Sequence, residues 1–389
     1  MLEVLAGRRV LILQGPAGPF FRRVARLLET MGASVTKVNF NAADDLFFKG
    51  PNVEPFRGRF DAFPAFVSEL LDRDRIEAIV LFGDTRPLHR MAIAAADERG
   101  LDVYVFEEGY LRPDFVTFEK DGVSGHSRIP RDPEFFRGVT PGREPKPRPV
   151  GNALAWATGW TIVYACTNGM FKKRYPHYRH HRDIRPLYQA YCWVRGAYRR
   201  TKHAIRDRGL DERIANGELS PFYFVPLQVH LDAAVGKHSG FDDIESFVAQ
   251  VVRSFAAHAP ADSRLILKDH PLGRPYRDYT ELVERLRREH GLGDRLLYVD
   301  LIHLPTTLKE ARGTVTINST VGLSSIHHGT PVICLGRAVY DMAGMTFQGE
   351  LDAFWREPGE VDQELYRRFR WWLLENNQIN GSVWKELWL

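Results

Sequence analysis

Two polar turns in the second half of the chain carry side chains that could bind a phosphate. Their residues are Lys268-Asp269-His270-Pro271 and Asn318-Ser319-Thr320. A histidine held at a strand end by a following proline can donate a hydrogen bond to a phosphate oxygen, and a lysine lies nearby. At a helix start, backbone N–H groups attract anions and hydroxyl groups add donors. A plain helix cap is the alternative for the second turn.

A carboxylate at a third strand end could act on the group that such a phosphate activates. Gln228 and Asp232 follow the apolar run Phe222–Leu227, and ligands of open α/β sheets bind beyond the carboxyl ends of strands. Asp232 could be a nucleophile toward an anomeric carbon, a general base or a helix cap. Retaining sugar transfer needs a carboxylate nucleophile or a front-face mechanism, so the nucleophile reading has chemical meaning if the substrate is a sugar.

A pair of glutamates ends another predicted strand, in the first half of the chain. Glu107 and Glu108 follow the apolar run Val103–Phe106 and precede Gly109, Tyr110 and Arg112. Adjacent carboxylates tend to raise one another's pKa, which suits an acid or base in a partly buried site. The alternative is a solvated loop in which the glycine supplies a turn.

Other chemistries have little support in the sequence. No convincing HExxH, CxxC or DxD-type setting argues for a metal, and the Gly-Pro turn after the first strand is not a GxGxxG fingerprint. The three cysteines have no paired spacing, which favours a reducing compartment. The N-terminus runs directly into a strand without a signal-peptide pattern, so we expect a cytoplasmic protein.

The elements that must position these residues alternate between strands and helices. Short apolar runs such as Ala78–Phe82 and Leu265–Lys268 alternate with helical patterns, of which Ile244–Phe255 is the most regular. This alternation predicts an α/β protein with two Rossmann-like domains facing across a cleft, the arrangement of GT-B type glycosyltransferases, plus a helical insertion and a C-terminal crossing helix. The expected bounds are 1–130 (N-terminal Rossmann-like domain), 131–215 (linker and insertion), 216–355 (C-terminal Rossmann-like domain) and 356–389 (helix packing back on the first domain).

The predicted insertion has an unusual distribution of charge. Residues 150–171 carry no charge and include Trp156 and Trp160, whereas 172–208 carry twelve basic and two acidic residues with tyrosines interleaved. Such a segment is a poor membrane-spanning helix and a fair interfacial one, suited to an anionic lipid surface. An ordinary helical insertion with a solvated charged face is the alternative, and single-stranded nucleic acid is a weaker one because no recognised module accompanies the charge.

Four of these motifs, in this order, resemble the capsule polysaccharide synthesis family. The motifs are Phe106-Glu107-Glu108-Gly109-Tyr110-Leu111-Arg112-Pro113, Pro226 to Asp232, Lys268 to Pro271 and Asn318 to Gly322. The family contains bacterial retaining β-Kdo transferases that use CMP-Kdo. The single catalytic unit is similar to the shorter type, which starts a poly-Kdo linker on a phosphatidylglycerol lipid, whereas a longer two-module partner extends it.

The resemblance implies roles for individual residues. Asp232 would be the nucleophile, and Glu107 or Glu108 the acid or base on the acceptor side. His270, Ser319 and Thr320 would hold the nucleotide of the donor. Alanine at position 233 departs from the serine frequent in the family, so hydroxyl support for the nucleophile would have to come from elsewhere.

The resemblance also implies substrates and partners. We expect CMP-Kdo as donor substrate with no cofactor, a phosphatidylglycerol-type acceptor and a peripheral position on the inner membrane. The longer two-module Kdo transferase and the capsule export complex are the expected protein partners. The alternatives are another CMP-activated acidic sugar as donor, or a non-catalytic lipid-binding subunit of a capsule assembly complex.

Overall fold

The computed structural model describes residues 1–180, 186–229 and 239–388. The strands are β1 Arg9–Ile12, β2 Ser34–Asn39, β3 Val53–Pro55, β4 Ala78–Phe82, β5 Asp102–Glu108, β6 Phe115–Lys120, β7 Phe222–Pro226, β8 Arg264–Lys268, β9 Leu296–Val299, β10 Gly313–Thr316, β11 Val332–Cys334 and β12 Gln378–Asn380. The α-helices are α1 Phe20–Thr30, α2 Ala42–Phe47, α3 Phe63–Arg73, α4 Pro87–Asp97, α5 Pro133–Arg137, α6 Ala153–Met170, α7 Pro186–Arg206, α8 Leu210–Ala215, α9 Ile244–His258, α10 Thr280–Glu289, α11 Leu304–Glu310, α12 Val321–His327, α13 Leu351–Phe354 and α14 Gln363–Asn376. Short 3-10 helices span Leu2–Leu5, Phe60–Ala62, Ser124–His126, Lys172–Arg174 and Gly293–Arg295.

The chain divides into two compact units. Unit 1 comprises Met1–Arg128, Arg143–Gln189 and Leu373–Leu389, and unit 2 comprises Ile129–Gly142 and Ala190–Trp372. Each unit contains one β-sheet with helices, so the predicted α/β class with two Rossmann-like units is confirmed.

The sheet of unit 1 has the strand order β12-β6-β5-β4-β1-β2-β3. Strands β1 to β5 pair in parallel, whereas β6 and β12 add antiparallel strands at one edge. All five residues of β4 are buried, because Ala78 and Val80 face one apolar cluster and Ile79 and Leu81 face another. An apolar run without alternation is what a parallel strand covered on both faces requires.

The sheet of unit 2 is wholly parallel, with the order β11-β10-β7-β8-β9. Its central strand β7 is buried along its whole length, between a cluster containing Tyr223 and Val225 and another containing Phe222 and Phe224. The regular helix α9 packs its apolar side into the first cluster, as its periodicity predicts. A capping box of Asp243 and Ser246 starts this helix.

Several elements differ from the sequence-based expectation. Strands β6 and β12 are not predicted, although β12 lies at the sheet edge of unit 1 with Gln378 opposite Thr117. The expected strand from Gly329 to Gly336 is limited to Val332–Cys334. Gly329 has a backbone φ of +80°, outside the range of extended structure, so the strand cannot begin there.

Candidate active site

The predicted phosphate-binding residues of unit 2 lie at one edge of its sheet. Strands β8, β7 and β10 are parallel neighbours, so their carboxyl ends lie side by side. Gln228 comes two residues after β7, His270 two after β8 and Asn318 two after β10. We refer to Gln228, Lys268 to Pro271 and Asn318 to Thr320 as the strand-end site.

A pair of amide side chains joins two of these strand ends directly. The Nε2 of Gln228 donates to Oδ1 of Asn318 at 3.0 Å, and the backbone N–H of Asn318 donates to Oε1 of Gln228 at 3.4 Å. Gln228 is buried. The reciprocal contact fixes the orientation of both amides, so the structure brings together two residues that the sequence predicted for one site.

The ring of His270 is oriented by its own loop. The backbone N–H of Leu272 donates to Nδ1 of His270 at 3.1 Å, and the N–H of His270 donates to Oδ1 of Asp269 at 2.8 Å. Because Nδ1 acts as an acceptor, the proton of the neutral ring resides on Nε2. Nε2 is therefore the atom that can donate to a phosphate oxygen.

Burial alters the acid–base properties of the two residues before His270. Burial and the nearby charge of Asp300 raise the pKa of Asp269 to about 6. Burial lowers the pKa of Lys268, whose Nζ donates to the backbone carbonyl of Asp269 at 3.2 Å. A partly desolvated ammonium group at this position attracts an anion more strongly than an exposed lysine would.

A buried ionic cluster that the sequence did not predict anchors the loop after His270. Asp300, just beyond β9, accepts from Nη2 of Arg274 at 2.6 Å and contacts Nδ1 of His203 at 2.8 Å. The carboxylate of Asp207 accepts from the backbone N–H of Asp300 at 2.7 Å. All four residues are buried. His203 and Asp207 lie one helical turn apart at the end of helix α7, whereas Arg274 and Asp300 come from two other segments, so no local pattern indicates the whole cluster.

One side of helix α7 holds the same loop. Nη2 of Arg195 donates to the carbonyl of Pro275 at 2.6 Å, and Nη1 of Arg199 donates to the carbonyl of Arg274 at 2.8 Å. At Gly196 a Cβ atom would lie only 2.9 Å from Cγ of Pro275, so glycine permits the close approach. Part of the basic charge predicted to face a surface therefore has a structural role.

Hydroxyl groups of Ser319 and Tyr340 order the turn before helix α12. The Oγ of Ser319 accepts from the N–H of Val321 at 3.2 Å, and the hydroxyl of Tyr340 donates to the carbonyl of Ser319. Thr320 occupies the N-cap position, where its side chain makes no capping hydrogen bond within the described part of the chain. At Gly322 a Cβ atom would lie 2.1 Å from the hydroxyl of Tyr340, so a side chain would displace that tyrosine.

In unit 1, the predicted acid/base glutamates are the last two residues of β5. Successive residues of a strand point to opposite faces, so Glu107 and Glu108 leave the sheet on different sides rather than forming a carboxylate pair. The carboxylate of Glu108 forms an ion pair with Nη2 of Arg112 at 2.9 Å. The carboxylate of Glu107 accepts from the N–H of Glu108 at 3.1 Å.

The residues that follow these glutamates position the turn. At Gly109 a Cβ atom would lie 2.2 Å from the carbonyl oxygen of Phe115, which leaves room only for glycine. Tyr110 is buried, and its hydroxyl accepts from the N–H of Ser124 at 2.7 Å. Oε1 of Gln378 accepts from the N–H of Tyr110 at 3.0 Å, so strand β12 supports this turn.

Three further statements concern the other predictions. Asp232 lies outside the described residues. Within residues 1–180, 186–229 and 239–388, no cluster of His, Cys, Asp and Glu side chains has the make-up of a metal site. The same ranges contain no helix that is both long and apolar enough to cross a membrane.

Comparison with known proteins identifies the family. The family model described as capsule polysaccharide biosynthesis protein matches residues 77–384. The chain belongs to the capsule polysaccharide biosynthesis family. This capsule polysaccharide biosynthesis protein is 36% identical over 378 residues to the capsule polysaccharide export protein KpsS of Escherichia coli, with 97% of each chain covered. It is 39% identical over 389 residues to the capsule polysaccharide modification protein LipB of Neisseria meningitidis serogroup B, with 98% of this chain and 93% of that one covered.

Solved structures include a more distant match to this capsule polysaccharide biosynthesis protein. The β-Kdo 2,7 transferase KpsC of Thermosulfurimonas dismutans is 15% identical, with a TM-score of 0.44 and coverage of 92% of this chain and 89% of that one.

A cavity of this family member contains residues that sequence reasoning missed. Arg131, Ser239, Arg337 and Asp341 line a space of about 500 Å³ in unit 2. Arg337 follows the Val332–Cys334 strand, and this position after a strand is a signal that could have indicated it. Arg131 comes from the Pro-rich stretch expected to be a linker, where no pattern distinguishes it.

Proposed function

We propose that this protein transfers Kdo from CMP-Kdo to a phosphatidylglycerol-type lipid with retention of configuration, and so starts the poly-Kdo linker of a capsular polysaccharide. Membership of the capsule polysaccharide biosynthesis family supports the biological context. The observation that carries the proposal is the Gln228–Asn318 amide pair together with the oriented ring of His270. These side chains offer hydrogen-bonding groups of fixed orientation at the end of a parallel sheet, where the proposal requires a nucleotide to bind.

In this proposal the strand-end site binds the leaving group. Nε2 of His270 donates to the phosphate of CMP, and the charge of Lys268 together with the hydroxyls of Ser319 and Thr320 stabilises the same group. Gln228 and Asn318 offer amide groups of fixed orientation to the nucleotide. As the bond between the anomeric carbon and the phosphate oxygen breaks, these donors stabilise the charge that develops on CMP.

Asp232 then supplies the nucleophile. Its carboxylate forms a bond to the anomeric carbon of Kdo as CMP departs. A hydroxyl of the lipid displaces the carboxylate, and a general base takes the proton of that hydroxyl. Two inversions at one carbon give overall retention. The candidates for this base are Glu107 and Glu108, of which Glu108 forms an ion pair with Arg112.

A lipid acceptor requires an enzyme that approaches a membrane surface. On helix α7 the side that faces away from the buried residues Cys192 and His203 is apolar and exposed, with Tyr191 58%, Val194 72%, Tyr198 69% and Ile205 74% exposed. Exposed cations (Arg200, Lys202 and Arg208) accompany them. This surface supports a peripheral position on the cytoplasmic face of the inner membrane, where an anionic leaflet attracts basic and aromatic side chains. The longer two-module Kdo transferase would use the product.

The direct test is a transfer assay with purified protein, CMP-Kdo and a short-chain phosphatidylglycerol. The expected result is CMP release together with a lipid whose mass has increased by Kdo. Asp232→Ala should abolish turnover and retain CMP binding, whereas Asp262→Ala, at an exposed carboxylate, should leave both unchanged. Absence of product with every lipid acceptor tested, from protein that binds CMP, would refute the proposed function.

A further inference from the structure

The cavity of unit 2 that contains Arg131 has the properties of a carboxylate site. It lies beyond the carboxyl end of strand β11, in a space of about 500 Å³. Its lining residues are Arg131, Ser239, Gly240, Leu335, Gly336, Arg337, Ala338 and Asp341. We refer to this space as the Arg131 pocket.

Two donor atoms of the Arg131 guanidinium are buried. Its Nε and Nη2 atoms are inaccessible to solvent, and neither has a hydrogen-bond partner among the described residues. Leaving charged donors buried and unsatisfied is costly, and such groups in native proteins usually have a functional reason. Because solvent does not reach these two atoms, an anion in the pocket would bind to the part of Arg131 that lines it.

The backbone that carries Arg131 is held in place by its neighbours. Asp132 caps helix α5, accepting from the N–H of Glu134 at 2.9 Å. One turn later, the buried ring of Phe136 packs against Phe369, with ring centroids 5.0 Å apart. Arg131 therefore belongs to an anchored segment of unit 2, and not to a freely moving loop.

The balance of charge in the Arg131 pocket favours an anion. The lining includes two positively charged residues, Arg131 and Arg337, and one negatively charged residue, Asp341. That carboxylate is already engaged, because its Oδ1 accepts from Oγ1 of Thr346 at 2.7 Å and from Nε2 of Gln348 at 3.3 Å. The planar fork of a guanidinium matches a carboxylate with two parallel hydrogen bonds.

The Arg131 pocket adjoins the strand-end site. Strand β11 is the parallel neighbour of β10, and paired strands lie about 4.8 Å apart. Tyr340, next to the pocket residue Asp341, donates its hydroxyl hydrogen bond to the carbonyl of Ser319. A ligand with two anionic groups separated by a few bonds could thus occupy both places, with its phosphate at Ser319 and its second anion near Arg131.

We infer that the Arg131 pocket binds the carboxylate of the donor sugar and thereby selects acidic sugars over neutral ones. The inference rests on the proposed function, since a CMP-activated 2-keto acid carries its carboxylate and its phosphate on the same anomeric carbon. Ser239 and Arg337 would contact the same end of the sugar. A nucleotide sugar without a carboxylate would leave the pocket's two arginines, Arg131 and Arg337, without an anionic ligand, and would be bound less tightly for that reason.

The test compares calorimetric titrations of CMP and CMP-Kdo with the wild type and three variants. Arg131→Gln should weaken CMP-Kdo binding by about 10- to 100-fold and leave CMP binding within about twofold. Arg131→Lys keeps the charge without the fork and should have an intermediate effect. Arg137→Gln, in the same segment but paired with Glu134, is the matched control and should change neither affinity.

The outcomes separate this inference from the proposed function. Equal weakening of CMP and CMP-Kdo by Arg131→Gln, or no weakening of either, would overturn the inference and leave the transferase proposal standing. A wild type that binds CMP-Kdo no more tightly than CMP would overturn it too. If the wild type binds neither ligand, both the proposed function and the pocket assignment fail.

Discussion

The guanidinium of Arg274 binds the carboxylate of Asp300, with Nη2 2.6 Å from Oδ1, and both residues are buried. Arg274 also donates its backbone N–H to the carbonyl of His270 at 3.2 Å. The ion pair therefore connects the end of strand β9 with the loop that carries His270, the proposed phosphate-binding residue. It thereby helps to fix the position of His270.

Replacement of Asp300 by asparagine should destabilise unit 2. The variant leaves the charge of Arg274 buried without its partner, a change that typically costs about 3–5 kcal/mol in the free energy of unfolding. Urea denaturation would measure the loss, with the exposed Asp294→Asn as control. Equal stability of the two variants would show that water or another group satisfies Arg274.

The pH dependence of stability should change when Asp269 is replaced by asparagine. The pKa of Asp269 is about 6 in the folded protein, against about 3.9 in an unfolded chain. Between these values only the folded state binds the proton, so this group lowers stability as pH rises from about 4 to about 6. The amide oxygen of the introduced asparagine could still accept from the N–H of His270, but the side chain would not titrate.

The measurement for Asp269→Asn is the free energy of unfolding at several pH values. The variant should gain stability relative to the wild type as pH rises through the window, by at most on the order of 3 kcal/mol. The comparison cancels the titration of residues present in both proteins. Parallel pH profiles would contradict the raised pKa.

Substitution of His270 should weaken catalysis and binding of the nucleotide-sugar substrate, and should leave the stability of the fold unchanged. His270→Ala removes the N–H group at Nε2. Loss of one charge-assisted hydrogen bond to the phosphate should lower kcat/KM by about 10- to 100-fold. His270→Gln retains an N–H donor at a similar distance and should recover part of the loss. Leu272→Ala, exposed in the same loop, is the control for loop disturbance. Steady-state kinetics and CMP titration with unchanged thermal stability would establish the effect; full activity of His270→Ala would exclude it.

The two glutamates of unit 1 should behave differently. If Glu107 is the general base, Glu107→Gln should lower kcat by about 100- to 10,000-fold. The ionisation of this base should then no longer appear in the pH–rate profile. Glu108→Gln breaks a partly exposed ion pair with Arg112, an interaction worth only about 0–1 kcal/mol, and should retain most activity. The reverse order of effects would assign the base to Glu108.

Sequence patterns predicted those strands and helices that are specified by the order of apolar and polar residues along the chain. Buried parallel strands such as β7 appear as uninterrupted apolar runs, and helix α9 follows from its periodicity. The association of Gln228 with Asn318 was also predictable, because each follows a strand of one parallel sheet. These features depend on residues close together in the chain or on a general rule of sheet topology.

The remaining features depend on contacts between distant segments. Strand β12 pairs with β6 from the far end of the chain, and Asp300 meets residues of helix α7 and of the loop after β8. That two nitrogens of Arg131 lack a hydrogen-bond partner in the described part of the chain becomes evident only when their surroundings are known. No periodicity or spacing in the sequence encodes such contacts, because they form only when separate elements pack against one another.

The exposed apolar side of helix α7 should determine binding to anionic membranes. Tyr198→Ser combined with Ile205→Ser removes two exposed apolar side chains and leaves Arg199 in place, so the loop contacts of Arg199 should persist. Because burial of such side chains contributes to membrane partitioning, co-sedimentation with phosphatidylglycerol-containing vesicles should fall roughly tenfold. Binding of the wild type should also weaken with salt, which screens the basic residues. Leu46→Ser, at an exposed leucine of unit 1, is the control. Undiminished vesicle binding by the double variant would show that this helix is not the membrane-facing element.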